Sequence, residues 1–425
     1  VSLVDVRPRM PVRRPSAAPA SSPHPRRSVV LLVFVLGVLS ATSSLATDLY
    51  LPAFPEIAAD LNAAESQIQL TLTAVMVGLA LGQLVLGPLS DQWGRRRPLL
   101  IGMAVFTATS FLCMTVTSAE MFSALRFVQG VAAASGMVIS RAVVRDTFSG
   151  DSAARFFSRL VLLVGLAPML GPMLGGQLLL AGSWQLIFAV LGLAGLAGVG
   201  LVFFGLPETL PPENRRRQDF AVMLRTFARM LRDPRFIAPS LTMALSFAMT
   251  FTYISAFSFV SQEEFGATPQ QFSLIFGINT LGMILGNQFN VVLIGRMHTS
   301  RRLYAGLFGA LFSVVLLAGL GFSGNAGLVS VTAVLFVMMF CTGLISPNAT
   351  TLAVASQPAS VAGTSSALLG TLQFALGGVL ASAAGLTSTG EATLASMILV
   401  MLGTAVVATG IFVTAAVRGH AESAI

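Results

Sequence analysis

The stretch Gly87-Pro88-Leu89-Ser90-Asp91-Gln92-Trp93-Gly94-Arg95-Arg96-Arg97 sets one acid, three arginines and two glycines between two long apolar runs. Residues 68 to 86 before it and 98 to 117 after it carry no charge. Each run of about 20 residues, rising roughly 1.5 Å per residue, is enough to cross a bilayer core of about 30 Å. A tight turn rich in arginine between two such helices belongs on the cytoplasmic side, where short loops collect arginine and lysine.

The rest of the chain has the same character. Hydrophobic residues make up 55% of the 425 positions and charged residues only 10%, against about 25% charged in a soluble domain. The length therefore does not mean two or three water-soluble domains. The net charge of +8 comes from arginine without any lysine, and the arginines sit in short loops beside apolar helices. That distribution suits anionic lipid rather than a nucleic acid, and no nucleic-acid partner is expected. Cys113 and Cys341 fall inside apolar segments, far apart and without metal spacing, so no disulfide framework or metal site is implied. His24, His298 and His420 lie in tail or loop positions. With no phosphate-binding glycine loop after a strand and no nucleophile beside a base, the chain reads neither as an enzyme nor as an ATP-driven pump, and no cofactor is expected.

Twelve apolar segments follow one another, near 28 to 51, 68 to 89, 98 to 117, 121 to 143, 156 to 180, 184 to 206, 236 to 260, 270 to 294, 302 to 322, 327 to 349, 361 to 385 and 393 to 416. Arginines occupy alternate connections: Arg7 to Arg27 before the first, Arg95 to Arg97 after the second, Arg145 and Arg155 after the fourth. Arg215 to Arg235 follow the sixth, Arg296 to Arg302 the eighth, and Arg418 the last. The intervening connections hold acids instead: Glu56, Asp60 and Glu65, then Glu120, then Glu263 and Glu264, then Glu391. Both termini are expected to be cytoplasmic. Residues 1–27, rich in Pro, Ser and Arg, read as a disordered basic tail. A signal peptide over Arg26 to Ala46 is the competing reading; its cleavage would leave eleven spans and break the even count.

Residues 207–235 form the longest polar connection, basic and partly amphipathic, and divide the spans into bundles at 28–206 and 236–417, with 418–425 as a second cytoplasmic tail. The halves repeat each other: Leu81-Gly82-Gln83 precedes Arg96-Arg97 much as Leu285-Gly286-Asn287 precedes Arg301-Arg302. The expected fold is an all-α membrane protein of two pseudo-symmetric six-helix bundles. Parallel repeats about an axis along the membrane normal suggest a transporter with a site between the halves.

The Gly87–Arg97 stretch resembles the signature loop of the major facilitator superfamily, with Gln92 where a basic residue is common. Thr47-Asp48-Leu49-Tyr50-Leu51-Pro52-Ala53-Phe54-Pro55, Arg126-Phe127-Val128-Gln129-Gly130, residues 167–176 (APMLGPMLGG) and Pro207-Glu208-Thr209-Leu210 are similar to motifs of its Bcr/CflA branch of drug/proton antiporters. The resemblance spans about Val29 to Arg418. It implies export of a drug-like molecule or metabolite against protons by alternating access, in a bacterial inner membrane and as a monomer, with substrate unspecified. It also implies that Gly87, Asp91, Gly94, Arg95 and Arg96 form a gating latch and that Pro168, Gly171, Pro172, Gly175 and Gly176 mark the antiport direction. A proton-coupled symporter and a non-transporting sensor are the other readings.

Topology alone accounts for the arginines of the turn; it does not account for Asp91. Gly87 and Gly94 are expected to permit a tight reversal and close helix approach. Pro168 with Pro172, and Gly171 with Gly175, are each four residues apart and share a helix face, bending it and admitting a close neighbour. Arg126 lies about 9 Å inside the outer end of its span, where a charge costs about 2.5 to 3.5 kcal/mol and needs a partner or a wet cavity. Asp48 lies at similar depth and is expected to face it. A guanidinium favours the carboxylate and burial favours the acid, so its protonation depends on solvent access and bound ligand, as a proton-exchanging site requires. Tyr50, Gln83, Gln129, Tyr253, Asn279, Asn287, Asn348 and Gln373 are candidates to line a central cavity, helix-packing hydrogen bonds being the alternative for each. Phe and Met, though abundant, are expected to face lipid or neighbouring helices unless a large apolar cavity recruits them.

Overall fold

The computed structural model describes residues 26–148, 150–215, 220–358, 361–385 and 391–422. All regular structure among them is helical: α1 (Arg26–Asp48), α2 (Phe54–Asp60), α3 (Glu65–Trp93), α4 (Arg96–Cys113), α5 (Ala119–Thr147), α6 (Gly150–Ala181), α7 (Gln185–Gly205), α8 (Phe220–Leu231), α9 (Pro234–Phe259), α10 (Pro269–Leu293), α11 (Thr299–Phe322), α12 (Leu328–Ala355), α13 (Ala362–Ser382) and α14 (Leu394–Glu422). Ten of these helices, some continued by an adjoining turn, are long and apolar enough to cross a membrane. Of the two other helices at expected spans, α4 opens on Arg96 and Arg97, which lower its mean hydropathy, and in α6 the described side chains form an apolar stretch over Leu166–Ala181. Most of the expected amino-terminal tail, and Arg216 and Arg217 of the central linker, lie outside the described residues, whereas Arg26 and Arg27 already belong to α1 and residues 418–422 to α14.

The expected first span, 28 to 51, ends early. Pro52 and Pro55 lack the amide donors that would carry the helix on, so α1 stops at Asp48, Leu51–Ala53 makes a 3₁₀ turn, and α2 begins at Phe54. The acids of α2, placed by the sequence in an outer connection, fasten it to α7: Glu56 accepts from the Trp184 backbone N–H at 3.1 Å and Asp60 from the Trp184 indole at 2.9 Å. Behind this joint Tyr50, Phe54, Phe122, Trp184 and Phe188 are fully buried and meet edge to face or tilted.

Helices α1 and α3–α7 pack among themselves, as do α9–α14, and the two groups meet chiefly along α3 against α13 and α6 against α10. The sequence repeat has a structural counterpart. A Cβ on Gly82 would come within 2.7 Å of the Val131 carbonyl of α5, and one on Gly286 within 2.0 Å of the Phe340 carbonyl of α12. Each half thus uses the glycine of its Leu-Gly-Gln/Asn triplet to bring two backbones together. At the ends of the molecule that carry α2 and residues 391–393, hydrogen bonds stitch the groups shut. Ser258 Oγ donates to the Leu51 carbonyl at 2.5 Å, Gln262 Nε2 to that of Pro52 at 3.2 Å, and Gln270 Nε2 to that of Gly176 at 2.9 Å. On the linker, α8 turns Phe227 and Met230 inward against its neighbours and leaves Val222, Leu224 and Leu231 exposed beside its arginines.

Candidate functional site

Asp48 is the last residue of α1 and is 6% exposed. Its carboxylate accepts from Thr47 Oγ1 at 3.0 Å and faces a cavity of about 280 Å³, just below the range of about 300 to 1,000 Å³ usual for small-molecule sites. Because Pro52 halts the helix, the acid stands where α1 gives out rather than within a continuous helical wall. Among the described residues it is the only acidic or basic side chain that lines this cavity.

Arg126 is wholly buried on α5, at the depth expected, but its hydrogen bonds do not go to Asp48. One guanidinium nitrogen donates to Gln129 Oε1 and another to the Ala46 backbone carbonyl. The cation sits 4.1 Å from the centroid of the Tyr50 ring and 5.5 Å from that of Phe188. Gln129 passes the contact on, donating to Ser110 Oγ at 2.7 Å. The last carbonyls of a helix have no partner within it, so the end of α1 offers Arg126 an acceptor that also fixes the turn bearing Asp48. Arg126 thus braces the end of α1 that bears Asp48.

The cavity wall draws Ser44, Thr47 and Asp48 from α1, Met76 from α3 and Pro168 from α6; most of it comes from α9, α10, α12 and α13. Met243, Met283, Met339, Phe247, Phe251, Phe276 and Phe374 supply an apolar surface into which Thr250, Thr280, Thr342 and Gln373 place polar groups. Of the eight polar and aromatic candidates only Gln373 lines this cavity. Tyr50 is bound to Arg126 and Thr71, and Gln129 holds Arg126. Tyr253 accepts from Asn279 Nδ2 at 2.9 Å. Gln83 abuts Gly370 across the α3–α13 contact, and Asn287 lies beside Gly343. Asn348 joins Asn290 at 2.7 Å, which in turn accepts from Arg302 at 2.9 Å. Tyr50, Gln129, Tyr253, Asn279 and Asn348 turn to neighbouring helices because a buried polar group without a partner is costly. Part of the Met and Phe complement is thus recruited to the wall, while others, such as Phe203, Phe204 and Phe312, face outward as expected.

In α6 the spacing of glycines has a definite recipient. A Cβ on Gly171 would lie 3.1 Å from Asp48 Cβ, and one on Gly175 1.9 Å from the Leu49 carbonyl. α6 thus lies backbone to backbone against the end of α1 that carries the acid. Gly176 turns the other way, toward Ser273 of α10, while Pro168 reaches the cavity and Pro172 is buried.

At the arginine turn α3 continues as helix through Gly87 to Trp93, and a Cβ on Gly87 would meet only ordinary contact at 3.8 Å, so the reversal does not depend on it. The turn is made at Gly94, whose φ of +89° suits glycine and whose missing Cβ makes room for Glu208. Arg95 is 6% exposed and exceeds a topological role. It donates to Ser90 Oγ at 2.8 Å, to Asp91 Oδ1 at 2.5 Å and to Asp146 Oδ2 of α5 at 2.7 Å. Burial pulls its pKa down, and the two carboxylates more than offset this, holding it above the usual arginine value. Arg96 donates to the Phe203 carbonyl at 2.6 Å.

Glu208, which carried no assigned role, anchors the start of the linker here. It accepts from the backbone N–H groups of Arg95, Arg96 and Leu210 at 2.8, 3.3 and 3.0 Å, at the positive end of α4. Partial burial raises its pKa, but those donors and Arg215 outweigh it and hold the carboxyl below the usual range. Its contribution is therefore present above the ordinary glutamate value of about 4.3 and lost only as pH falls through the depressed one, so the linker stays docked at cellular pH.

A family model described as Major Facilitator Superfamily matches residues 36–382. An uncharacterized MFS-type transporter, YdgK of Bacillus subtilis, is 38% identical over 378 residues, covering 88% of this chain and 93% of its own. The bicyclomycin resistance protein homolog of Haemophilus influenzae is 32% identical over 365 residues, covering 84% and 89%. Among solved structures the nucleoside transporter NupG superposes with a TM-score of 0.75 at 13% identity, over 91% of this chain and 99% of that one, a likeness of fold.

Proposed function

The chain belongs to the major facilitator superfamily, in its Bcr/CflA-type branch, and from that premise we propose that this multi-pass membrane transporter is a proton-coupled antiporter that exports small molecules by alternating access. The observation that carries the reading is Asp48: one carboxylate on the wall of an otherwise neutral, Met- and Phe-rich cavity, at the helix end that Arg126 and the α6 glycines hold. Proton and substrate compete for related states at such a site. The apolar wall and single acid suit an apolar or cationic drug-like molecule better than an anion. The proton gradient drives the cycle without a cofactor, and a monomer suffices.

The test is proton movement in everted membrane vesicles energised to an acid interior, with bicyclomycin and a cationic dye as probes. Addition of a transported probe will discharge the pH gradient as protons leave in exchange. A gradient indifferent to a wide panel of probes would favour the sensor reading, and uptake that requires protons moving in the same direction as the substrate would favour symport.

In the full topology α1, α3–α7 and α9–α14 all cross the inner membrane of a bacterium, with α4 and α6 spanning as members of their bundles and both termini cytoplasmic. Epitope tags at the amino terminus, near Arg216 and at the carboxyl terminus will be protected in intact cells, and a tag between Glu56 and Glu65 will be accessible. External labelling near Arg216 would overturn the arrangement.

A further inference from the structure

A second cleft opens on the other side of the α1 end. α6 and α7 are joined by a short loop at 182–184 yet touch little below it, and a cavity of about 230 Å³ lies between them. Leu45 and Leu49 of α1 form its floor, Leu174 and Leu178 of α6 and Val190 and Ala194 of α7 its sides. By helix rise these walls run from about 5 to 15 Å beneath the loop. The cleft opens away from the protein: Leu174 is 52% exposed, and Leu170 and Leu193 near it are exposed as well. On helices that cross a membrane, that side meets lipid.

One residue of the rim is out of place against hydrocarbon. Gln177 lines the cleft, is exposed, and among the described residues has no hydrogen-bond partner. A polar group facing lipid needs a partner, and here only the lipid can supply one. Gln177 lies one turn before the end of α6 at Ala181, about 6 Å along the axis, which matches the depth of about 5 to 7 Å of a headgroup layer. Above it, Glu56 and Asp60 are both exposed and hold the loop, accepting from the Trp184 backbone and indole, with Gln185 Nε2 donating to Asp60 at 3.3 Å. Those donors are neutral, and no outer connection of the chain contains Arg, Lys or His. Two negative charges therefore stand uncompensated over the mouth of an apolar cleft.

We propose that this cleft is a phospholipid site of the outer leaflet, selective for a headgroup that carries a primary ammonium. An acyl chain lies between α6 and α7, Gln177 Nε2 donates to an ester carbonyl, and the ammonium donates to Glu56 and Asp60. A headgroup with a net negative charge meets two carboxylates and is disfavoured; a trimethylated ammonium brings the charge without the donors and ranks between. The chain backs Leu45 and Leu49, on either side of Asp48, and so supports the α1 end from the lipid side as Arg126 does from within. The site rests on the topology given above only for the choice of leaflet.

Native mass spectrometry of the purified full chain, exchanged into detergent with equal amounts of phosphatidylethanolamine, phosphatidylcholine and phosphatidylglycerol of matched acyl chains, counts the lipid retained. The parent will keep one phosphatidylethanolamine, about tenfold in excess of phosphatidylglycerol, as a hydrogen bond between charged groups implies. Glu56→Gln with Asp60→Asn, whose amides still accept from Trp184, will keep the three lipids alike. Gln177→Leu will keep about fivefold less of each, having lost a neutral hydrogen bond. Ala194→Trp, which fills the cleft, will keep none, and Leu316→Trp, at an exposed position of α11, will match the parent. A parent that keeps phosphatidylglycerol as well as phosphatidylethanolamine overturns the proposal, and so does retention in Gln177→Leu equal to the parent's, a result that stands even if Ala194→Trp fails to fold. Inaccessibility of the tag between Glu56 and Glu65 would move the site to the other leaflet without changing which lipid is kept, so the topology and the site fail separately.

Discussion

Asp48→Asn will abolish uphill, proton-driven efflux while leaving substrate binding largely in place. The side chains are nearly isosteric, the amide oxygen can still accept from Thr47 Oγ1, and the cavity wall is otherwise untouched. What disappears is the titration. A carrier that cannot exchange a proton at its site can still equilibrate substrate but cannot concentrate it. Substrate added to the wild-type protein in weakly buffered detergent will release protons, and the Asp48→Asn protein will release none above baseline, with affinity measured on the same sample as the internal control. Arg126→Ala will be worse and will lose folding yield as well. It removes the donors to the Ala46 carbonyl and to Gln129, each such bond to a charged group being worth about 1.5 to 3 kcal/mol, and leaves the α1 end unsupported. Undiminished proton release from Asp48→Asn would exclude this acid as the coupling group. Glu120 and Glu56 would be weak substitutes, since one is engaged by Gln67 and the other by Trp184, both away from the cavity.

The features legible in the sequence are those that composition and spacing must encode. Charge and hydropathy announced the helices, and the Leu-Gly-Gln and Leu-Gly-Asn triplets marked equivalent helix contacts because only glycine admits a backbone at the distances seen at Gly82 and Gly286. Asp48 and Arg126 stood out because a charge at depth is expensive. Their partners did not. Arg126 reaches a backbone carbonyl and two aromatic faces, and every residue has a carbonyl, so no pattern of residue types points to this one. The cavity wall was illegible for a related reason: in an apolar helix, Met243 or Phe251 facing a cavity and Leu281 facing outward look alike, since hydropathy does not change around the helix. The acids at the outer end read as loop residues, and only the fold brings Glu65 to the Ala392 backbone and Glu56 to Trp184.

Glycine 175 gives the largest effect expected away from the acid itself. A Cβ there would stand 1.9 Å from the Leu49 carbonyl, and a backbone atom cannot swing aside as a side chain can. Gly175→Ala must therefore part α1 from α6 by roughly 1 Å, and Gly175→Val by more; such overpacking typically costs about 1 to 3 kcal/mol. The strain falls on the residues that close the outer seam, because the turn after Leu49 presents the Leu51 and Pro52 carbonyls to Ser258 and Gln262. Borne by the closed state alone, it shifts the balance toward the outwardly open state by about 5- to 150-fold. Gly175→Val will lose active efflux and make energised vesicles leak protons faster, Gly175→Ala will do both to a lesser degree, and Gly171→Ala, where the new contact is 3.1 Å to a side-chain atom, will be milder still. Gly403→Ala, with nothing within 4 Å of the added carbon, will match the wild type and control for substitution of a membrane glycine as such. Wild-type efflux and tightness in Gly175→Ala would show that α1 moves freely against α6, and that this contact does not govern how Asp48 is presented to the cavity.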